Sequence, residues 1–275
     1  MRISNNFSAQ NNNRQQRINN NSISKNFEKL SSGRGINRSG DNAAGFAISE
    51  KMRTQILGMN MASRNSQDTV SLIQTAEGAL QGAQDILQRM RELAVQSSSD
   101  TNTPEDRQKL QTEVGSLVGE IDDIADKTEF NNITLIDGSF NGSDGEEFAA
   151  QTGANAGDEL KIELGELSAE SLGVDSVNIS QRQGSSDAIG AIDSALSRIS
   201  AQRAELGAMQ NRMEFKIQNL SVSAENLTAA DSRIRDTDMA KMMTELTKNN
   251  ILSKTSTAMQ AQANAQPQGV LQLLG

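Results

Sequence analysis

The side chains best suited to chemistry in this 275-residue chain are carboxylates. Glu120, Asp122, Asp123 and Asp126 crowd into seven residues, and such a cluster could hold a divalent cation. Their spacing argues for something plainer. They fall in a helical repeat without the glycine-turned loop that wraps oxygens around calcium, so the cluster reads as a solvated acidic face. The remaining menu is short. With no Cys and no His, thiolate and Ser-His nucleophiles, disulfides and the usual zinc ligand sets are excluded. No catalytic residue, metal site or cofactor is expected. The Asn-x-Ser/Thr triplets opened by Asn132 and Asn141 are weak acceptor signals.

The elements that carry these residues are mostly helices. Leu72, Ile73, Ala76, Ala79, Leu80, Ala83, Ile86, Leu87, Met90, Leu93 and Ala94 form one apolar seam at steps of three and four. It ends in the polar run Ser97-Ser98-Ser99-Asp100. Thr103-Pro104-Glu105-Asp106 announces a new helix through an N-cap hydroxyl, a first-turn proline and an acid three residues after the cap. Its seam is Leu110, Val114, Leu117, Ile121 and Ile124. From Ile192 to Ile234 a 4-3-4-3 repeat is interrupted only by Arg203, Gln210 and Asp231, a coiled-coil signature whose helix would be about 65 Å long. Residues 130–184 are rich in Gly, Asn and Ser. They contain the alternating runs Leu160–Leu164 and Val174–Ile179, expected to be short strands. With only 3% aromatic residues, any core must be aliphatic.

Burying the long seams requires the helices before and after residues 130–184 to run antiparallel, which brings the chain ends together. The expected fold is mainly α: an elongated antiparallel coiled-coil rod with paired N- and C-terminal helices and a small β region at mid-chain. Residues 1–44 with 234–275 would form a terminal coiled-coil domain, 45–139 with 185–233 a helical rod, and 140–184 a variable β segment.

Charge divides the chain in the same way. Residues 1–53 carry nine basic and three acidic side chains, residues 231–275 are close to neutral at +1, and residues 54–230 sum to −16 of the overall −9. The basic N-terminal stretch is crowded with Asn and lacks interleaved aromatics for stacking bases, so nucleic acid is not an expected partner. No apolar run is long enough to span a membrane, and Met1–Asn6 has no apolar stretch of a cleavable signal peptide, so any exit from the cell needs another route. The ends carry scattered apolar residues, among them Ile3, Phe7, Phe27, Leu30, Leu246, Val270, Leu271, Leu273 and Leu274. They are too few for a domain stable alone and are expected to pack in the core of a shared assembly.

Several segments together resemble bacterial flagellin. Lys29-Leu30-Ser31-Ser32-Gly33, Asp41-Asn42-Ala43-Ala44-Gly45-Phe46-Ala47-Ile48-Ser49, Ile73-Gln74-Thr75-Ala76-Glu77-Gly78-Ala79-Leu80 and Gln88-Arg89-Met90-Arg91-Glu92-Leu93-Ala94-Val95-Gln96 are similar to the N-terminal half of that family. Arg233-Ile234-Arg235-Asp236-Thr237-Asp238-Met239-Ala240 and Pro267-Gln268-Gly269-Val270-Leu271-Gln272-Leu273-Leu274 are similar to its C-terminal half. Two departures fall in the N-terminal connector: Gly35 occupies the place of a usual Arg, and Asn42 that of a second Asp.

The resemblance implies a non-enzymatic subunit of the flagellar filament, a helical homopolymer for motility. It implies export unfolded through the flagellar type III apparatus, with an export chaperone, the filament cap and hook-junction proteins as partners. The product would be secreted into an extracellular flagellum, a periplasmic one staying open. Because the middle is short, the bulky outer domains of longer members should be absent. The resemblance also implies recognition of the depolymerised chain by Toll-like receptor 5 through Arg89, Leu93 and Glu113, and makes Ser139, Ser143 and Ser185 places for O-glycosylation.

Overall fold

The computed structural model describes residues 6–140 and 147–274, with side chains through Gln266. The helices are α1 (Phe7–Ser32), α2 (Ala43–Ser98), α3 (Pro104–Lys127), α4 (Ala169–Leu172), α5 (Arg182–Arg235) and α6 (Met239–Leu274). Between α3 and α4 lie the strands β1 (Glu129–Phe130), β2 (Ile133–Thr134), β3 (Phe148–Gln151) and β4 (Glu159–Ile162). The fold is mainly helical, with long helices and a small β region at mid-chain. The chain divides into two compact units: residues 1–56 with 225–275 (unit 1), and residues 57–224 (unit 2). Helices α2 and α5 each contribute to both.

Helix boundaries follow local chemistry. The Asn6 side chain accepts from the Ala9 N–H, capping α1, and Gly33 ends it in the left-handed conformation at φ 69°, which a Cβ disfavours. Asn42 does for α2 what an Asp would, its carbonyl oxygen accepting from the Gly45 N–H at 3.0 Å. At α3 the Thr103 hydroxyl accepts from the Asp106 N–H and donates to the Asp106 carboxylate. The hydroxyl's bond to that carboxylate foremost, with a backbone bond from Thr103, holds the Asp106 carboxyl below its ordinary value.

Unit 2 has a continuous aliphatic core. Leu72, Ile73, Leu80, Leu87 and Met90 of α2 pack with Val114 and Ile121 of α3 and with Ile192, Ile199 and Leu206 of α5. Helices α2 and α5 run antiparallel, as Ser97–Ser185, Arg91–Asp193 and Glu77–Arg203 contacts show. Arg203, an interruption in the apolar repeat, is accommodated because its guanidinium donates to Gln84 Oε1 at 2.5 Å and lies 3.6 Å from Glu77.

The β region is two hairpins, β1–β2 and β3–β4. Asn131 and Asn132 form the two-residue turn of the first, both at positive φ, where Asn is better tolerated than most residues. The Asn132 triplet therefore begins in a tight turn, whereas Asn141 and Ser143 lie outside the described residues.

The run Leu160–Leu164 overlaps β4, but Val174–Ile179 is not a strand. Its Val174, Val177 and Ile179 side chains are buried, a turn at Asp175–Ser176 interrupts it, and its backbone is bonded within that turn and to other elements instead of to a neighbouring strand. The Gln111 amide donates to the Val177 carbonyl and accepts from the Ile179 N–H at 2.6 Å, while Ser97 and Ser185 donate to the Ile179 carbonyl. Alternation of apolar residues in sequence cannot distinguish this side-chain clamp from a ladder. Ser185 is itself fully buried and so unsuited to glycosylation. Gln111→Ala should leave the buried Ile179 N–H unpaired and lower unit 2 stability by about 1–3 kcal/mol; thermal and urea unfolding followed by circular dichroism check this.

Candidate functional site: assembly surfaces

Unit 1 packs α1 against α6 in antiparallel register. Asn6 donates to the Ala263 carbonyl, Gln16 to Thr257, Asn19 to Ser256, and Ser253 to Asn20. The residues of α6 withdrawn from solvent recur as Met242, Leu246, Asn249, Ser253, Ser256, Gln260 and Ala263, in 4-3 steps. On α1 they include Asn12, Gln16, Asn19, Ile23, Asn26 and Leu30. This seam is thus a coiled-coil repeat filled largely with amides and hydroxyls. By the hydrogen-bond register Leu30 lies opposite Met242, and Leu246 faces the stretch of α1 between Ile23 and Leu30.

The large apolar side chains lie elsewhere. Phe7 is 81% exposed, Phe27 56% and Ile251 59%, with Ile18, Met239, Met243, Leu252 and Met259 also exposed. Among the described residues, unit 1 buries only two hydrophobic side chains, Leu246 and Ala263, against thirty-three in unit 2. Of the residues expected to pack in a filament core, Leu246 is buried, Leu30 half-buried, and Phe7 and Phe27 exposed. Ile3 lies outside the described residues. Val270, Leu271, Leu273 and Leu274 continue α6, with side chains outside the described residues.

A second feature of unit 1 was not signalled by sequence periodicity. The connectors α1–α2 and α5–α6 are zipped together: Gly35 N–H donates to the Arg235 carbonyl at 2.6 Å, and Thr237 N–H to the Gly33 carbonyl at 3.1 Å. Gly35 donates an orphan-satisfying bond to the end of α5. Arg235 fills the centre of this joint, its side chain 8% exposed. It donates to the Ile36 carbonyl, to the Ser49 hydroxyl and to the Glu50 carboxylate at 2.7 Å, and lies 5.1 Å from the Phe46 ring centroid. A fork-shaped cation among convergent acceptors would have been the sequence signal, but those acceptors lie some 185 residues away along the chain.

On unit 2, Arg89 and Glu113 come together. The Arg89 guanidinium donates to Glu113 at 2.8 Å and to Glu92 at 3.2 Å, and those carboxylates raise its pKa, Glu113 foremost. All three are substantially solvent-exposed, so the pair contributes little stability. Leu93 points the other way: at 2% exposed it belongs to the core. Glu120, Asp122, Asp123 and Asp126 do not converge on a cation; Asp123 pairs with Lys127 and Asp122 accepts from the Ala169 N–H. Among the described residues no group of carboxylates is arranged to hold a metal ion, and no helix is long and apolar enough to cross a membrane.

Family comparison decides what these surfaces belong to. The family model of the bacterial flagellin N-terminal helical region matches residues 3–141, and that of the C-terminal helical region matches residues 189–274. The chain belongs to the bacterial flagellin family. It is 52% identical to the flagellin of Halalkalibacterium halodurans and 48% identical to that of Bacillus subtilis, each over the full length of both chains. The crystal structure of Bacillus cereus flagellin superposes with a TM-score of 0.51 at 32% identity, over 61% of this chain and 94% of that one. This flagellin is accordingly a structural subunit of the flagellar filament and self-associating, not an enzyme.

Arg235→Ala should destabilise unit 1 of this flagellin by about 1.5–3 kcal/mol, the worth of hydrogen bonds made by a charged group. Arg235→Lys should recover only part of that, since an ammonium lacks the planar fork. Amide hydrogen exchange along α1 and α6, compared with the α2–α3 core, measures the loss where it is expected.

Proposed function

We propose that this flagellin is exported unfolded by the flagellar type III apparatus and polymerises outside the cytoplasm into a propulsive filament. In that polymer the exposed apolar side chains of α1 and α6 are covered by neighbouring copies. The observation that carries this reading is the inverted terminal pair, with amides and hydroxyls on its internal seam and Phe27 and Ile251 turned outward. Large exposed apolar side chains on two paired helices need a cover, and a second copy of the same surface supplies one. Unit 1 carries a formal +6 and unit 2 a formal −15. An acidic outer wall around less acidic packed ends accords with that division. An export chaperone, the filament cap and hook-junction proteins would engage the chain before and during assembly.

Phe27→Ser combined with Ile251→Ser should abolish polymer sedimented after salting out while leaving the thermal transition of unit 2 in place. Wild-type filaments by electron microscopy, absent in a chain lacking residues 267–275, form the companion result. A full-length chain that stays monomeric would count against the reading.

A second reading concerns the depolymerised chain, which we infer is recognised by Toll-like receptor 5 at the surface around Arg89 and Glu113. The exposed guanidinium held by two carboxylates favours it; buried Leu93 would support the shape of that surface from beneath. Arg89→Ala should reduce receptor signalling at least about tenfold, the scale of losing one charge-assisted contact, with filament assembly intact. Unchanged signalling would remove the assignment.

A further inference from the structure

The described methionines of this chain differ widely in their access to solvent. Of eleven, Met90, Met209 and Met213 are buried in unit 2, where their thioethers fill aliphatic gaps out of reach of solvent. Met239, Met243 and Met259 of α6 are about half exposed, among the apolar residues that the inverted helix pair leaves uncovered. Met61 on α2 is exposed as well, but it belongs to unit 2 and not to the paired terminal helices.

We propose that Met239, Met243 and Met259 are separate oxidation sites along α6 that together control whether a free subunit can join the polymer. The oxidant is a hydroperoxide, with hydrogen peroxide as the simplest. A thioether lone pair attacks one peroxide oxygen, the O–O bond breaks, and proton transfer releases the other oxygen as water. Sulfur is oxidised by two electrons to the sulfoxide, and the peroxide is reduced by two. The product replaces a flexible apolar group with a polar acceptor that requires a hydrogen-bond partner. On a face that must be covered by another copy, no water remains to supply one.

These sites therefore read the state of assembly. Free subunits leave all three side chains about half exposed, whereas in the proposed polymer neighbouring copies cover them. Peroxide would remove the unassembled pool from polymerisation while sparing existing filament, and reduction of the sulfoxide would restore it. This rests on the proposed covering of α1 and α6 by second copies.

The test treats free chain and preformed polymer with hydrogen peroxide, maps sulfoxides by peptide mass spectrometry and measures the critical concentration for polymerisation. Oxidation of Met239, Met243 and Met259 should precede that of Met90, Met209 and Met213 in the free chain and be suppressed in the polymer. The critical concentration of oxidised free chain should rise at least about tenfold, the scale of losing buried apolar surface at three side chains. It should return on treatment with methionine sulfoxide reductases of both epimer specificities. The combined variant M239L, M243L and M259L should polymerise equally well before and after peroxide. Should that variant not polymerise at all, the oxidation and reduction cycle on the wild-type chain decides alone. Oxidised wild type polymerising at an unchanged critical concentration would overturn the proposal, as would a variant as peroxide-sensitive as wild type. Untreated wild type failing to polymerise would overturn the assembly reading first, and this proposal with it.

Discussion

The structure turns on a shortage of internal apolar burial in unit 1. Two hydrophobic side chains are buried there among the described residues, while nine large ones, from Phe7 to Met259, are exposed. Covering the exposed half of such a side chain contributes about 1 kcal/mol, so nine represent a substantial driving force left unspent inside the chain. The polar seam between α1 and α6 explains why. Asn19, Asn20, Ser253 and Ser256 can specify pairing and register through hydrogen bonds, but each bond made in place of one to water adds only modestly to stability. A helix pair held this way has direction and register, and keeps its hydrophobic surface for something else.

Unit 2 follows the opposite rule. Its α2, α3 and α5 seams converge on one aliphatic core, and even the irregular segment after α4 has its backbone groups paired by Gln111, Ser97 and Ser185. Its acidic excess remains on the surface, where pairs such as Arg89–Glu113 and Lys127–Asp123 are exposed and worth little to folding. The Arg235 joint gives unit 1 what its seam does not: a buried, multiply bonded anchor that binds both connectors. Cooperative folding of the terminal pair thus depends on a few polar groups converging at one end.

Much of this was legible in the sequence. The seams beginning at Leu72, Leu110 and Ile192 were readable because buried aliphatic residues on long helices repeat with the helical period. The Thr103 cap was readable because capping is local. The clamp on Val174–Ile179 was not, since alternating apolar residues look the same whether a neighbouring strand or a turn and a glutamine satisfy the backbone. Nor was Arg235, whose acceptors are remote in sequence. Apolar residues at the chain ends suggested packing in a shared assembly, but not that Phe7 and Phe27 stand off the seam while Asn occupies it. Polar side chains at heptad positions are invisible to a search for apolar periodicity. Leu93 shows the converse error: a residue within a surface motif is not thereby on the surface.

The central claim is that α1 and α6 find their apolar partners between copies of the chain. Amide hydrogen exchange of free and polymerised chain, resolved by peptide, tests it most directly. Helices α1 and α6 should gain strong protection on polymerisation, by an amount that clearly exceeds any change in the Leu72–Ala94 core. Unchanged exchange in both terminal helices, in chains verified as polymer, would contradict it.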